Sequence, residues 1–309
     1  MPVILKFFYC SQLLIIMYNT MRRLLRICSD YANEFDILFN PSKTKCLIAA
    51  PSARHYHFDR DHLSNFTTDG KPIEYVLSFK HLGHMISSNL ADIEDIALRK
   101  SDFTSQTNNT LCFFKSLDPF VRCKLFRAYC TSLYGCELWL LTNDAIEGLC
   151  RAWRKGLRTV WRLPYRTHNF LLPIISRCLP VFDEICRRSL NFIRSCISHP
   201  SQIVPFVALH GILYGRGASL CGTNVLFCIQ RYGISYYKAL RTGFPIDDIF
   251  SSFAMNSLTE NEHCAAAFLT ELLYVRDHQL HVNYLSSDEI SALIDYVCTC
   301  CGNDMSNSR

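Results

Sequence analysis

The sequence predicts an α+β protein, with a small mixed α/β part over about residues 1–91 followed by a long, mostly helical part. Three observations carry this expectation. Short apolar runs flank the turn Asn40-Pro41-Ser42, and others flank Gly83, as strands do. From Asp92 onward the apolar residues recur every three or four positions, as on the buried face of a helix. The chain has 309 residues, 49% of them hydrophobic and 19% charged, so it can bury a sizeable core.

The elements follow in order. "VILKFFYCSQLLIIMY", residues 3–18, is apolar but interrupted by Lys6, Ser11 and Gln12. A membrane span needs about 20 apolar residues. A buried strand, or a segment outside the domain, is expected over 1–18, with a signal anchor as the alternative. Residues 19–33 predict a helix whose face is Met21, Leu24, Leu25 and Cys28, continued by Tyr31 and Ala32. "FDILFNPSKTKCLIAA" reads as strand, turn, strand. A polar stretch with His55, His57 and His62 leads to an Asp69-Gly70 turn. Two short strands with Gly83 at the kink complete residues 19–91.

A helix is expected from Asp92, with Ile93, Ile96, Phe103, Leu111 and Phe114 on one face. Asp118-Pro119 is an N-cap followed by proline in the first turn. That helix is expected to run through Phe126, Tyr129, Leu133 and Tyr134 to Gly135. Residues 144–163 form an amphipathic helix stopped by Pro164, and 182–197 another, with Asp183 and Glu184 in its first turn. These fill a helical region over 92–200. The apolar, mostly helical region 201–309 has no assigned role.

The 17 cysteines lie scattered through apolar runs, where free cysteine acts as a small hydrophobe. Apart from "CTCC" (Cys298, Cys300, Cys301), no Cys or His group has zinc-ligand spacing, and that cluster lacks a fourth ligand nearby. No metal is expected, and a reducing, intracellular location is. The net charge of +5 permits an anionic partner without demanding one. No G-x-S-x-G, P-loop or H-E-x-x-H occurs, so no small-molecule substrate is expected. Asp247-Asp248 follows Pro245 and reads as a helix cap, and Asp59, Asp61 and His62 sit in a polar stretch.

The strongest charge feature is the series Arg151, Arg154, Lys155, Arg158, Arg162 and Arg166, without an intervening acid. At 3.6 residues per turn, Arg151, Lys155, Arg158 and Arg162 share one face, and Trp153, Leu157, Val160 and Trp161 fall largely on another. Such a front could track a phosphate backbone. Composition alone is equally served by a solvated basic face. Lys43 and Lys45 read first as exposed turn lysines, and second as ammonium groups aimed at a phosphate.

Taken together, "FDILFNPSKTKCL", "FKHLGHMIS", "LFRAYCTSLYGCELW" and "RAWRKGLRTVWRLP" resemble, in this order, the reverse transcriptase of non-LTR (LINE-type) retrotransposons. The resemblance covers about residues 20–200. It implies the end of a polymerase palm, a primer-grip hairpin with Phe79, Lys80, Leu82 and Gly83, and a helical thumb. It makes Lys43 a pyrophosphate-side lysine. It also implies contact of Arg151, Arg154, Lys155, Arg158 and Arg162 with an RNA/DNA template–primer duplex. The family enzyme uses Mg2+ held by aspartates in a "Y-A-D-D"-type hairpin. Here that place holds "YCSQLLIIMYN", which has no aspartate. The expectation is a chain truncated before the catalytic box, with weak duplex binding, no complete catalytic set and no polymerase activity alone. The alternatives are a membrane-associated helical protein with an N-terminal anchor, or a domesticated thumb-like interaction module.

Overall fold

The computed structural model describes residues 11–40, 43–49, 65–68, 70–163, 165, 167, 169, 171–176, 178–215 and 219–234. The chain divides into two units, residues 1–95 and 96–309. Helices and small two-stranded sheets give the α+β class.

In the first unit, helix α1 spans Ser11–Glu34. It takes in the end of the apolar run 3–18, where a strand was expected, and residues 3–10 lie outside the described set. No helix among the described residues is long and apolar enough to cross a membrane. The inward positions of α1 are Tyr18, Met21, Leu25 and Ala32, whereas Leu24, Cys28 and Tyr31 of the expected face are exposed. The small core they cover, Cys46, Phe66 and Ile73, is narrow. One stripe therefore suffices. Tyr18 and Phe66 meet at a ring separation of 4.9 Å.

The expected strand at 35–40 does not form. Phe35 N–H donates to Tyr31 O and Ile37 N–H to Ala32 O, and Asp36 between them has φ +53°. This closure of the helix C-terminus uses the donors that a strand would need. The chain turns again at Asn40, whose carbonyl accepts from the Thr44 N–H at 3.1 Å and its hydroxyl at 2.9 Å. Strand β1 (Lys45–Cys46) then pairs in parallel with β4 (Glu74–Tyr75). Strands β2 (Thr67–Thr68) and β3 (Lys71–Pro72) form an antiparallel pair around Gly70, φ +73°. Strands β5 (Ser78–His81) and β6 (His84–Ser87) form a hairpin with the two-residue turn Leu82-Gly83.

Helix α2 spans Ile93–Phe113, most of it in the second unit, and turns Phe103 into that unit's core, with Leu111 packed against the same core. Ile96 is also buried, while Ile93 and Phe114 at the ends of the expected face are exposed. Helix α3 (Pro119–Leu125) begins as its sequence predicts. The Asp118 carboxylate accepts from Phe120 N–H at 2.8 Å and Val121 N–H at 3.4 Å. The helix does not reach Gly135. It passes into a π-turn over Phe126–Cys130, and Leu133 and Gly135 then take positive φ. That reversal lets Leu133, Cys136 and Trp139 enter the core, while Tyr129 and Tyr134 face out. Helices α4 (Ala145–Val160), α5 (Leu171–Ser176), α6 (Val181–Ile197), α7 (Ile203–Leu213) and α8 (Leu220–Tyr232) complete the described part.

The centre of this core is Phe126, Trp139, Leu149, Leu157, Trp161, Ile185 and Leu190. Burying each such side chain contributes about 1.5–3 kcal/mol. Polar pins fix the packing. Asn224, buried, accepts from Leu141 N–H at 2.9 Å and donates to Trp139 O at 2.8 Å and Ser189 Oγ at 3.2 Å. The Trp161 indole donates to Ser176 Oγ at 2.9 Å. Asp183 is no simple helix-dipole acid. It is buried and accepts from the Arg231 guanidinium at 2.9 Å and the Tyr232 hydroxyl at 2.7 Å.

Candidate nucleic-acid interface

Helix α4 carries the predicted amphipathic division. Trp153, Leu157 and Val160 are buried, and Trp161 just beyond the helix end joins them. Arg151, Lys155 and Arg158 occupy the opposite face at spacings of four and three residues. Arg162 is not on that face. The helix closes after Val160, with Leu163 N–H donating to Arg158 O and Arg162 at φ +52°. The left-handed residue turns the Arg162 guanidinium away to the carbonyl of Lys115, 3.2 Å distant. Pro164 had signalled this stop, since proline commonly follows a closed helix end. Arg166 lies outside the described residues.

The cationic face of α4 lines a groove against α2, with a volume of about 820 Å³. Arg151, Arg154, Lys155 and Arg158 come from α4, and Lys100 from α2. Among the described residues no aspartate or glutamate lines it. The five cations are not equivalent. Arg154 is ion-paired with Glu147, and the Arg158 guanidinium donates to Thr167 O at 2.8 Å and Asn169 Oδ1 at 2.6 Å. Burial, then the neighbouring Arg154, holds the Arg158 pKa below the usual arginine range. Arg158 thus braces the segment after α4. Arg151, Lys155 and Lys100 are exposed, with their charged ends available to a ligand.

Lys100 escaped the sequence reading, although a signal was there. Lys100, Thr104, Thr107 and Asn108 recur at helical spacing and form one polar stripe on α2, continued by the apolar Leu111, all of it lining the groove. The Lys100 side chain reaches across to Gly148 of α4: a Cβ on that glycine would stand 3.5 Å from Lys100 Nζ, an ordinary contact.

The remaining predicted residues lie in the first unit. In the hairpin, Phe79 pairs with Ile86 and Lys80 with Met85. Phe79 is half-buried, Lys80 exposed, and Leu82 at the tip 74% exposed. Leu82 and Gly83 have φ of +48° and +87°. Positive φ at both central residues is the turn that matches the twist of a tight hairpin. Next to its turn the hairpin is tied by Asp95, which is buried, accepts from Met85 N–H at 2.9 Å and lies 3.1 Å from His84 Nδ1. The two turn lysines separate in role. Lys45 is ion-paired with Glu74 across the parallel β1–β4 pair, whereas Lys43 is exposed.

No group of three or more His, Cys, Asp or Glu among the described residues is arranged to hold a metal ion. Asp59, Asp61, His62, Asp247, Asp248, Cys298, Cys300 and Cys301 lie outside the described residues. No protein-family model, curated protein or solved structure matches the chain.

Proposed function

We propose that this chain binds nucleic acid through the α2–α4 groove, as a thumb-like part of a non-LTR retrotransposon reverse transcriptase. The observation that carries the proposal is the groove itself, with five cations from two helices and no lining acid among the described residues. An electropositive groove raises the local concentration of a polyanion, and each phosphate neutralised releases condensed counterion. The ordered sequence resemblance supplies the partner, an RNA/DNA template–primer duplex. In this reading Phe79, Lys80, Leu82 and Gly83 position a primer strand, and Lys43 is a turn lysine without a catalytic set to serve. The chain does not polymerise by itself, because "YCSQLLIIMYN" holds no carboxylate for a two-metal site.

The test is fluorescence anisotropy with a labelled RNA–DNA hybrid at about 50 and 200 mM salt, where phosphate contacts weaken steeply. Binding at the lower salt that falls at the higher one supports the proposal. No binding at either sinks it. Primer extension with Mg2+ and all four nucleotides is expected to give no product, and incorporation would overturn the inactivity.

A further inference from the structure

Three cations, Lys100 from α2 and Arg151 and Lys155 from α4, line the one groove, while Glu147 is taken up by Arg154. Arg151 and Lys155 lie four residues apart on one helix face, where like charges repel. Lys100 adds a third positive charge from α2. This arrangement keeps a repulsion that a concentrated anion would relieve. A second observation comes from Thr107. It lines the groove, is 6% exposed, and its hydroxyl has no hydrogen-bond partner among the described residues. A buried hydroxyl left unpaired in a fold is costly unless a ligand or water completes it. Thr104 and Asn108 add polar groups on the same stripe. The volume of about 820 Å³ is that of a small-ligand site.

We infer that the groove is a seat for a compact, multiply charged phosphate, either a terminal phosphate monoester or a polyphosphate, with Lys100 and Thr107 as its α2 contacts. The inference rests on the reading of this groove as phosphate-binding and narrows it. An internal phosphodiester carries one charge. A terminal phosphate carries about −1.5 to −2 and three strong acceptor oxygens, which suits three cations and a hydroxyl. The shared chemistry has two sources, the 5′-phosphate of a nucleic-acid strand and a free polyphosphate.

The test uses the full chain and three probes: a 3′-labelled oligonucleotide with a 5′-phosphate, the same strand with a 5′-hydroxyl, and sodium tripolyphosphate as competitor. The 5′-phosphorylated strand is expected to bind about tenfold more tightly, the order of one charge-assisted contact set. Its advantage should shrink below about pH 6, where the second phosphate proton binds. Tripolyphosphate is expected to displace it at an ionic strength where sodium chloride does not. Displacement without a 5′-phosphate preference assigns the seat to free polyphosphate. Lys100→Ala is expected to abolish the preference, so that both strands bind alike, at an affinity lowered by the loss of one phosphate contact. Lys100→Arg should restore the preference, and Thr107→Val should lower it. Equal binding of both strands with no displacement by tripolyphosphate overturns the seat and leaves the backbone reading intact. Failure of every probe to bind overturns both.

Discussion

Leu82 shows how much a single backbone angle can reveal. A leucine at φ +48° costs roughly 1–2 kcal/mol relative to a residue at ease in the left-handed region. Its side chain is 74% exposed, so little burial offsets that cost. Leu82→Asn is therefore expected to stabilise the first unit by about 1 kcal/mol, since asparagine suits the first central position of this turn. Thermal melts followed by circular dichroism check it, and a lowered melting temperature contradicts it. If Leu82 positions a primer, as proposed, the same variant binds the hybrid less well while folding better. Asn224 is the opposite case. Its three hydrogen bonds join the Trp139–Leu141 segment to α6 and α8. Asn224→Ala removes the partner of Leu141 N–H in the core, at about 1–3 kcal/mol for the stranded donor. Urea unfolding should show a lowered midpoint. Neither residue stood out in the sequence. Leucine is an unusual choice for a left-handed turn, and an asparagine within an apolar run discloses its partners only after the helices pack.

Helix α4 displays what element-level reading captured and where it stopped. The division into Trp153, Leu157 and Val160 against Arg151, Lys155 and Arg158 was legible, because a 3.6-residue period assigns faces without reference to neighbours. The Asp118-Pro119 start of α3 was legible for the same local reason. The end of α4 was misplaced by a few residues, which carried Arg162 onto the wrong surface. The strand expected at 35–40 was lost to the C-terminal closure of α1, because apolar residues in a short run do not distinguish a strand from a helix exit. The two glycines of α4 make a paired prediction. A Cβ on Gly156 would stand 2.9 Å from Phe126 Cε2, in a ring that is fully buried and cannot withdraw. Gly156→Ala should destabilise despite its gain in helix propensity. A Cβ on Gly148 meets only the flexible end of Lys100, at an ordinary contact distance. Gly148→Ala should therefore gain up to about 1 kcal/mol. Opposite shifts in denaturation midpoint support this account of the two packing environments, and equal shifts contradict it.

At the scale of the molecule, the α+β class was legible from the change of period near residue 92, while only the α4 side of the candidate groove was. The α4 contribution was in the charge pattern. The α2 contribution was not, because a lysine followed by threonines and an asparagine carries no charge run. Part of the cysteine set was legible as core: Cys136, Cys150 and Cys186 are buried, whereas Cys28 and Cys112 are exposed. Burial, then Glu137 for Cys136 and Glu147 for Cys150, pushes both thiols up to about 12. In the unfolded chain they ionise near the ordinary thiol range of about 8.5. Their contribution is thus fully present below that range and is lost as pH rises toward 12. Stability measured by urea unfolding should fall progressively above about pH 9, and a flat profile to pH 11 would contradict the burial. Lys100, Arg151 and Lys155 are the residues proposed to face phosphate. The most direct test of that role is the salt dependence of hybrid binding by the native chain and by the triple variant Lys100→Ala/Arg151→Ala/Lys155→Ala. The variant is expected to bind more weakly, with a log–log slope shallower by roughly three, close to one unit for each lost contact. Identical affinity and slope for the two proteins would contradict that role.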